Sequence, residues 1–307
     1  MDQVKRANPF RTALDKLLKN KLAVVCLIIL LAEILMVIFA PYITNFNYSD
    51  QDPSIRLRPG FWAKWTEVTD PNAEGYSIKN QYVPGHYLGT DAYGRDVFSR
   101  ILYGGRISLL VSLLAVIVSL VIGGLLGAVS GYMGGKVDSV IMRLMDILMA
   151  IPGILMAVCI SAAMGGGVWQ TALAIAVAGI AGVCRLVRGQ TLTLRNQEYI
   201  EAARASGSGT LRILLSNIIP NCLAPIIVNT TMSIGGNIMM ISALSFVGLG
   251  VQPPIPEWGA ILNSGREYVS TFWPLITFPG IAIALTMFGF NVFGDGLRDA
   301  LDPKLKQ

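Results

Sequence analysis

Charge is scarce in this 307-residue chain: Lys, Arg, Asp and Glu make up 14% of it, against about 25% in a typical soluble domain. A soluble chain of this length needs a large polar surface, which so few charged residues do not supply, so an ordinary globular enzyme is excluded. Histidine is scarcer still, with His86 alone, so no His-Glu-x-x-His metal site can form. No Gly-x-Ser-x-Gly elbow occurs and no cysteine pair has metal-ligand spacing, so neither a metal site nor a nucleophilic catalytic site is expected. The nearest approach to a phosphate loop, Gly131 to Lys136, lacks the first glycine at the required spacing. It also has Val137 where a Ser or Thr would bind magnesium, so the chain is not expected to hydrolyse ATP itself. Cys26, Cys159, Cys184 and Cys222 fall in or beside apolar runs, which reads as four buried thiols rather than a disulfide framework.

What is present is apolar length. Hydrophobic residues make up 53% of the chain. A bilayer core about 30 Å thick takes roughly 20 helical residues at 1.5 Å each. Leu22 to Ala40 is apolar throughout except for Glu33, and it is longer than the core of a cleavable signal. Further runs cover about 108–131, 139–163, 169–187, 219–241 and 274–294, which gives an all-α polytopic membrane protein with six transmembrane helices.

The basic residues orient these spans. With the N-terminus in the cytoplasm, 16 Lys and Arg lie on the inner side and eight outside, seven of the eight in one long loop from Thr44 to Arg106. The positive-inside rule therefore favours an N-in, C-in arrangement in the plasma membrane. The net charge of +5 is mild, and no nucleic-acid partner is expected. Asn8 and Pro9 have the form of a helix cap and first turn, followed by Phe10, Leu14, Leu17 and Leu18 among basic residues. That pattern reads either as an amphipathic helix on the inner lipid surface or as a basic flank that fixes orientation. The organisation expected is 1–44 for this segment and the first span, 45–106 for an extracytoplasmic loop, and 107–307 for a five-helix core.

Between the fourth and fifth spans, in a loop of about 188–218, lie Glu201, Ala202, Ala203, Arg204, Gly207, Thr210 and Leu211. The segment reads as helix, break, helix: good helix formers from Leu194 to Ala205, Gly207 at a left-handed terminating position, and Ser208 or Thr210 as the next cap. Glu201-Ala-Ala, then Gly207, then Ile219-Pro220 resembles the EAA motif of ABC-importer permease subunits, with Asn217 at a position commonly occupied by Ile. Three further stretches are similar to the C-type permeases of dipeptide, oligopeptide and nickel importers: His86 to Ser108, Leu244 to Gly259, and Phe290 to Pro303.

That resemblance implies cytoplasmic coupling helices around Glu201–Leu211 that dock in a groove of the ATPase subunit, with ATP and magnesium held on two such subunits and no cofactor in this chain. It also implies a homologous second permease, an extracytoplasmic substrate-binding protein and a peptide cargo. A nickel chelate or another small solute is the alternative cargo, and an ion-gradient-driven secondary transporter is the alternative machine.

The remaining polar residues allow two readings each. Asn229, Ser233 and Asn237 step by four along the fifth span and could line a water-filled pathway or hydrogen-bond between helices. Gly123, Gly127, Gly131 and Gly135 recur every four residues and read as a close-packing stripe, with a substrate role as the alternative. Pro152 should bend the third span, as a static bend or as a hinge. Asp146, three residues after Arg143, reads as a local helix pair, and Glu33 as a membrane-embedded carboxyl with no visible partner, a proton relay being its alternative. Asp91, Gly94, Arg95 and Asp96 precede a short amphipathic run and read as a capped, ion-paired interfacial helix that helps receive a binding protein. A catalytic carboxylate pair is conceivable there on spacing alone.

Overall fold

In the computed structural model, residues 9–65 and 77–301 are described; the expected cap at Asn8 and the last two residues of the final motif, Asp302 and Pro303, lie outside them. Twelve α-helices are found among the described residues, with one isolated bridge between Thr90 and Asp96. The first is α1, Pro9–Lys19, followed by α2, Lys21–Ile38, and the single turn α3, Ala40–Ile43. Asn20 separates α1 from α2, and its side chain accepts the amide of Ala23 at 3.2 Å, as an N-cap should. Leu17 is buried against Ala23, Ala300 and Phe293, while Leu14 and Leu18 remain exposed.

The second span is far longer than the apolar run indicates. Helix α4 covers Val97–Met133, 37 residues, or about 55 Å at 1.5 Å each, so it protrudes well beyond a hydrocarbon core of about 30 Å. The amphipathic run after Asp96 is therefore the first turns of this span and not a separate interfacial helix. The third span is two helices. Helix α5, Gly135–Ala150, and α6, Gly153–Met164, meet at 85° across Ile151 and Pro152. A proline has no amide hydrogen to donate and restricts the residue before it to extended backbone, and Ile151 is extended here.

Helix α7, Val168–Leu194, is followed by the short helices α8, Glu198–Ala205, and α9, Thr210–Ile213. A π turn and a 3-10 turn carrying Pro220 lead into α10, Leu223–Phe246. Helix α11, Trp258–Gly265, and the last span α12, Pro274–Leu301, complete the chain. Five of these helical stretches are long and apolar enough to cross a membrane, and six if α5 and α6 count as one broken span.

The glycine stripe of α4 is a packing seam. A Cβ at Gly123, Gly127 or Gly131 would meet the carbonyls of Ile180, Cys184 and Arg188 in turn. Each step of four on α4 is matched by four on α7, so the two helices run parallel in fixed register with their backbones in contact. Gly135 is not part of the seam; with φ +55° and nothing near its Cβ position, it opens α5 just after Gly134, itself at φ +65°. On the other side of the bundle, α2 packs antiparallel on α12, with Gly296 against Ala23 and Gly289 against Leu30. All four cysteines are free; three are buried, and Cys159 is exposed on α6, contrary to expectation, because its side of that helix meets no other described element.

Candidate functional site

Asn229, Ser233 and Asn237 lie on one side of α10 and line a single cavity of about 320 Å³. Ser119 of α4, Met149 of α5 and Ile175, Gly179 and Gly182 of α7 complete most of its wall. The glycines create the space: nothing approaches within 4 Å of a Cβ at Gly182, and at Gly179 the nearest atom is Ser119 Cβ at 3.3 Å. No side-chain hydrogen bond ties Asn229, Ser233 or Asn237 to another described residue. Two amides and a hydroxyl at membrane depth therefore face the cavity with their hydrogen-bonding capacity uncommitted, a state that hydrocarbon would penalise and water or a polar solute would satisfy. The cavity lining contains no ionisable side chain.

The segment after α7 is built by local chemistry. Helix α8 ends in a Schellman turn: the Gly207 amide donates to the Arg204 carbonyl at 2.9 Å and the Ser208 amide to the Ala203 carbonyl at 3.1 Å. Gly207 takes φ +78°, which a side chain would disfavour. The next helix is capped by Gly209 without a side-chain bond, so neither Ser208 nor Thr210 serves as the expected cap. Ile200 and Ile213 plug the segment into a core with Val187 and Ile218. Glu201, Ala202, Arg204, Gly207 and Thr210 are exposed around them, Ala203 is half-buried, and Leu211 is 70% exposed. Arg204 reaches back to Tyr132 at the end of α4, with Nε donating to its hydroxyl oxygen at 3.1 Å and the guanidinium stacked on the ring.

At the opposite end of the bundle, the motif Asp91, Gly94, Arg95, Asp96 forms a buried cap. Asp91 Oδ1 accepts from the amides of Tyr93 and Arg95 at 2.8 and 3.0 Å, and Oδ2 from Arg95 Nε at 2.7 Å, with Arg100 Nε 3.5 Å away. Asp96 caps α4 through the Ser99 amide at 2.6 Å, and its other oxygen meets His86 Nδ1 at 2.9 Å. The His86 ring stacks on Phe46 at 4.2 Å. All four carboxylate oxygens are thus engaged by protein partners, which fits a structural cap and leaves no free pair for acid–base work. Gly94, φ +74°, abuts the backbone of Asp52. The Ser54 hydroxyl and then its amide, at 2.6 and 3.0 Å, hold the Asp52 carboxyl below the usual carboxylate range.

Several polar pairs escaped sequence reasoning because their partners are remote. Asp146 pairs with Arg185 of α7 at 2.5 Å, not with the nearby Arg143. Asp138 is gripped by Arg188 through two nitrogens at 2.5 and 2.7 Å and by Ser130. Glu33 does have a partner, the Thr286 hydroxyl. Glu257, fully buried, caps α11 at the Ala260 amide and accepts from Ser108 Oγ at 3.0 Å. The Pro-Glu-Trp-Gly sequence that opens α11 is the one signal that could have marked it. The phosphate-loop-like run is not a loop: Gly131 lies inside α4 against Thr191. No cluster of three metal-ligating side chains occurs among the described residues.

Comparison with known proteins agrees with this architecture. Residues 123–307 match the family described as the binding-protein-dependent transport system inner membrane component. Residues 8–59 match the N-terminal TM domain of oligopeptide transport permease C. The chain is 43% identical over 305 residues to the dipeptide transport system permease protein of Alkalihalophilus pseudofirmus, covering 99% of this chain and 93% of that one. It is also 43% identical over 289 residues to the Escherichia coli K12 protein of the same description, covering 94% and 91%. A chain of the inward-facing MetNI methionine ABC transporter shares the fold, with a TM-score of 0.55 at 16% identity over 66% of this chain and 96% of that one. The chain therefore belongs to the inner-membrane components of binding-protein-dependent transport systems, and it is a multi-pass permease subunit of an ABC importer.

Proposed function

We propose that this chain forms half of the translocation pathway for short peptides, with a homologous second permease supplying the other half. The observation that carries the reading is the cavity of Asn229, Ser233 and Asn237, whose uncommitted amides and hydroxyl suit the amide groups of a peptide in transit. The relatives' descriptions as dipeptide permeases support the cargo class. The end of the bundle bearing α8 faces the cytoplasm, as the basic-residue count favours. There the segment of Glu201, Ala202, Ala203, Arg204, Gly207, Thr210 and Leu211 docks in a groove of one of two ATP-binding subunits, which hold ATP and magnesium; this chain contributes transport and no hydrolysis. The cap of Asp91, Gly94, Arg95 and Asp96 lies outside and stiffens the surface that receives a substrate-binding protein. The loop 45–106, the core 107–307 and the coupling segment of about 188–218 are the corresponding functional divisions.

Alternating access follows from the need to avoid leakage: the cavity opens to one side at a time as the spans rearrange. The test is uptake of Ala-Ala by the complete importer in liposomes. ATP-dependent uptake that the double variant N229L/N237L abolishes, with assembly intact, supports the pathway. Normal uptake by that variant refutes it, and uptake driven by an ion gradient without ATP points to a secondary transporter instead.

A further inference from the structure

The cavity lining is uncharged, yet an ion pair stands at one of its edges. Met149 of α5 and Gly182 of α7 line the cavity. Asp146 lies three residues before Met149 and Arg185 three after Gly182, so each shares a helix face with a lining residue, one turn nearer the α8 end of the bundle. Their side chains meet at 2.5 Å between Arg185 Nη2 and Asp146 Oδ1 and are 44% and 55% exposed. This single contact leaves Asp146 Oδ2 and most of the five guanidinium donors unused. The neighbouring pair is different in kind: Arg188 holds both oxygens of Asp138, Ser130 adds a third bond, and the side chains are more buried. Arg143 precedes Asp146 by one turn on α5, and Arg188 follows Arg185 by one turn on α7.

We propose that Asp146 and Arg185 form a charged rim through which the pathway cavity discharges a zwitterion. The cargo's carboxylate replaces Asp146 on Arg185 while its ammonium pairs with Asp146. The rim pair is neutral overall and so is a dipeptide with uncharged side chains, so the exchange leaves no net charge unpaired near the membrane interior at any stage. A dipeptide's termini, at most about 7 Å apart, can reach both groups once the pair separates. This inference rests on the reading of the cavity as the pathway.

The test uses the complete importer in liposomes, with the binding protein saturated in turn by Ala-Ala, Ala-Lys and Ala-Glu so that selection upstream is held constant. Asp146→Asn leaves an uncompensated cation at the rim and should raise Ala-Glu uptake and lower Ala-Lys uptake about fivefold each, about 25-fold in their ratio, the scale set by two unit charges about 4 Å apart in water. Arg185→Gln should lower the ratio by a similar factor, both variants should slow Ala-Ala, and the double variant D146N/R185Q should restore the wild-type ratio. Equal scaling of all three peptides in both single variants would mean a structural latch and would overturn the proposal. If a single variant does not assemble, Asp146→Glu and Arg185→Lys retain both charges while displacing the atoms; uptake of Ala-Ala slowed more than that of the N-acetylated, C-amidated dipeptide, whose termini are uncharged, supports the rim, and equal slowing of the two or unchanged uptake overturns it. If N229L/N237L also imports normally, the pathway reading itself falls. If that variant alone is inactive, the cavity stands and the rim falls alone.

Discussion

Thr286 Oγ1 donates to Glu33 Oε1 at 2.5 Å, joining the last span to the first inside the membrane. The bond belongs to a register: moving from Ala23 to Leu30 to Glu33 along α2, the partners run back from Gly296 to Gly289 to Thr286 along α12 in the same steps of seven and three. The glycines let the helices close, and closure brings the hydroxyl within reach of the carboxyl. The second oxygen, Oε2, is buried with no partner among the described residues.

Thr286→Val should therefore strand both carboxyl oxygens in an apolar setting and cost about 1–3 kcal/mol. Glu33→Gln, which keeps an oxygen for the same bond, should cost less. Thermal unfolding of the purified protein in detergent ranks the two, and an equal or reversed order would show that the bond contributes nothing.

Gly127→Leu should be among the most damaging single changes, since its Cβ would collide with the Cys184 carbonyl and split the α4–α7 seam. The expected loss is about 3 kcal/mol or more, seen as a lower melting temperature or as aggregation on gel filtration. Gly124→Leu faces open space, with only Leu120 at 3.9 Å, and should change stability by about 0.5 kcal/mol or less.

Gly207→Pro removes the amide that donates to Arg204 and demands a φ near −65° where the chain takes +78°. Membrane insertion should survive, because Ile200 and Ile213 still anchor the flanks. Uptake should fall on the order of tenfold, equivalent to ~1.4 kcal/mol of coupling, while ATP hydrolysis by the complex persists. Hydrolysis and uptake measured on one preparation decide the matter, and a normal ratio between them rules the segment out of coupling.

Asp91→Asn should leave Arg95 and Arg100 buried beside each other with no anion, at a cost of about 3–5 kcal/mol. Loss of binding-protein-stimulated ATPase activity, along with increased proteolysis near Tyr93, would confirm the structural cap. Full stability would show that neither arginine depends on this carboxylate.

The six apolar runs, the stripe at Gly123, Gly127 and Gly131 and the break at Gly207 were legible because each is a local pattern with a local cause. The start of α4 at Val97 was not, since Arg100 and Arg106 interrupt the apolar run even though both are folded into the helix, Arg106 by donating to the Val37 and Ile38 carbonyls of α2. The partner of Asp146 was misjudged for a related reason. Spacing shows which residues share a helix face, but the facing helix, 39 residues away, decides which charge meets which. Pro152 signalled a bend, but its size of 85° depends on where α6 finds room against α7. The polar stripe of α10 leaves two readings open in the sequence, and the space left by Gly179 and Gly182, on which the proposed pathway rests, is something no linear pattern describes.

The parallel seam also imposes an order on biosynthesis. Helix α4 is complete at Met133, but the carbonyls that its glycines meet belong to Ile180, Cys184 and Arg188, beyond the whole α5–α6 excursion. At about 5–20 residues per second, a ribosome delivers that partner roughly 3–11 s later. During this interval the glycine face of α4 has no α7 to pack against. A chaperone or the insertion machinery that shields that face would shape the yield of this protein without leaving any mark on its finished form.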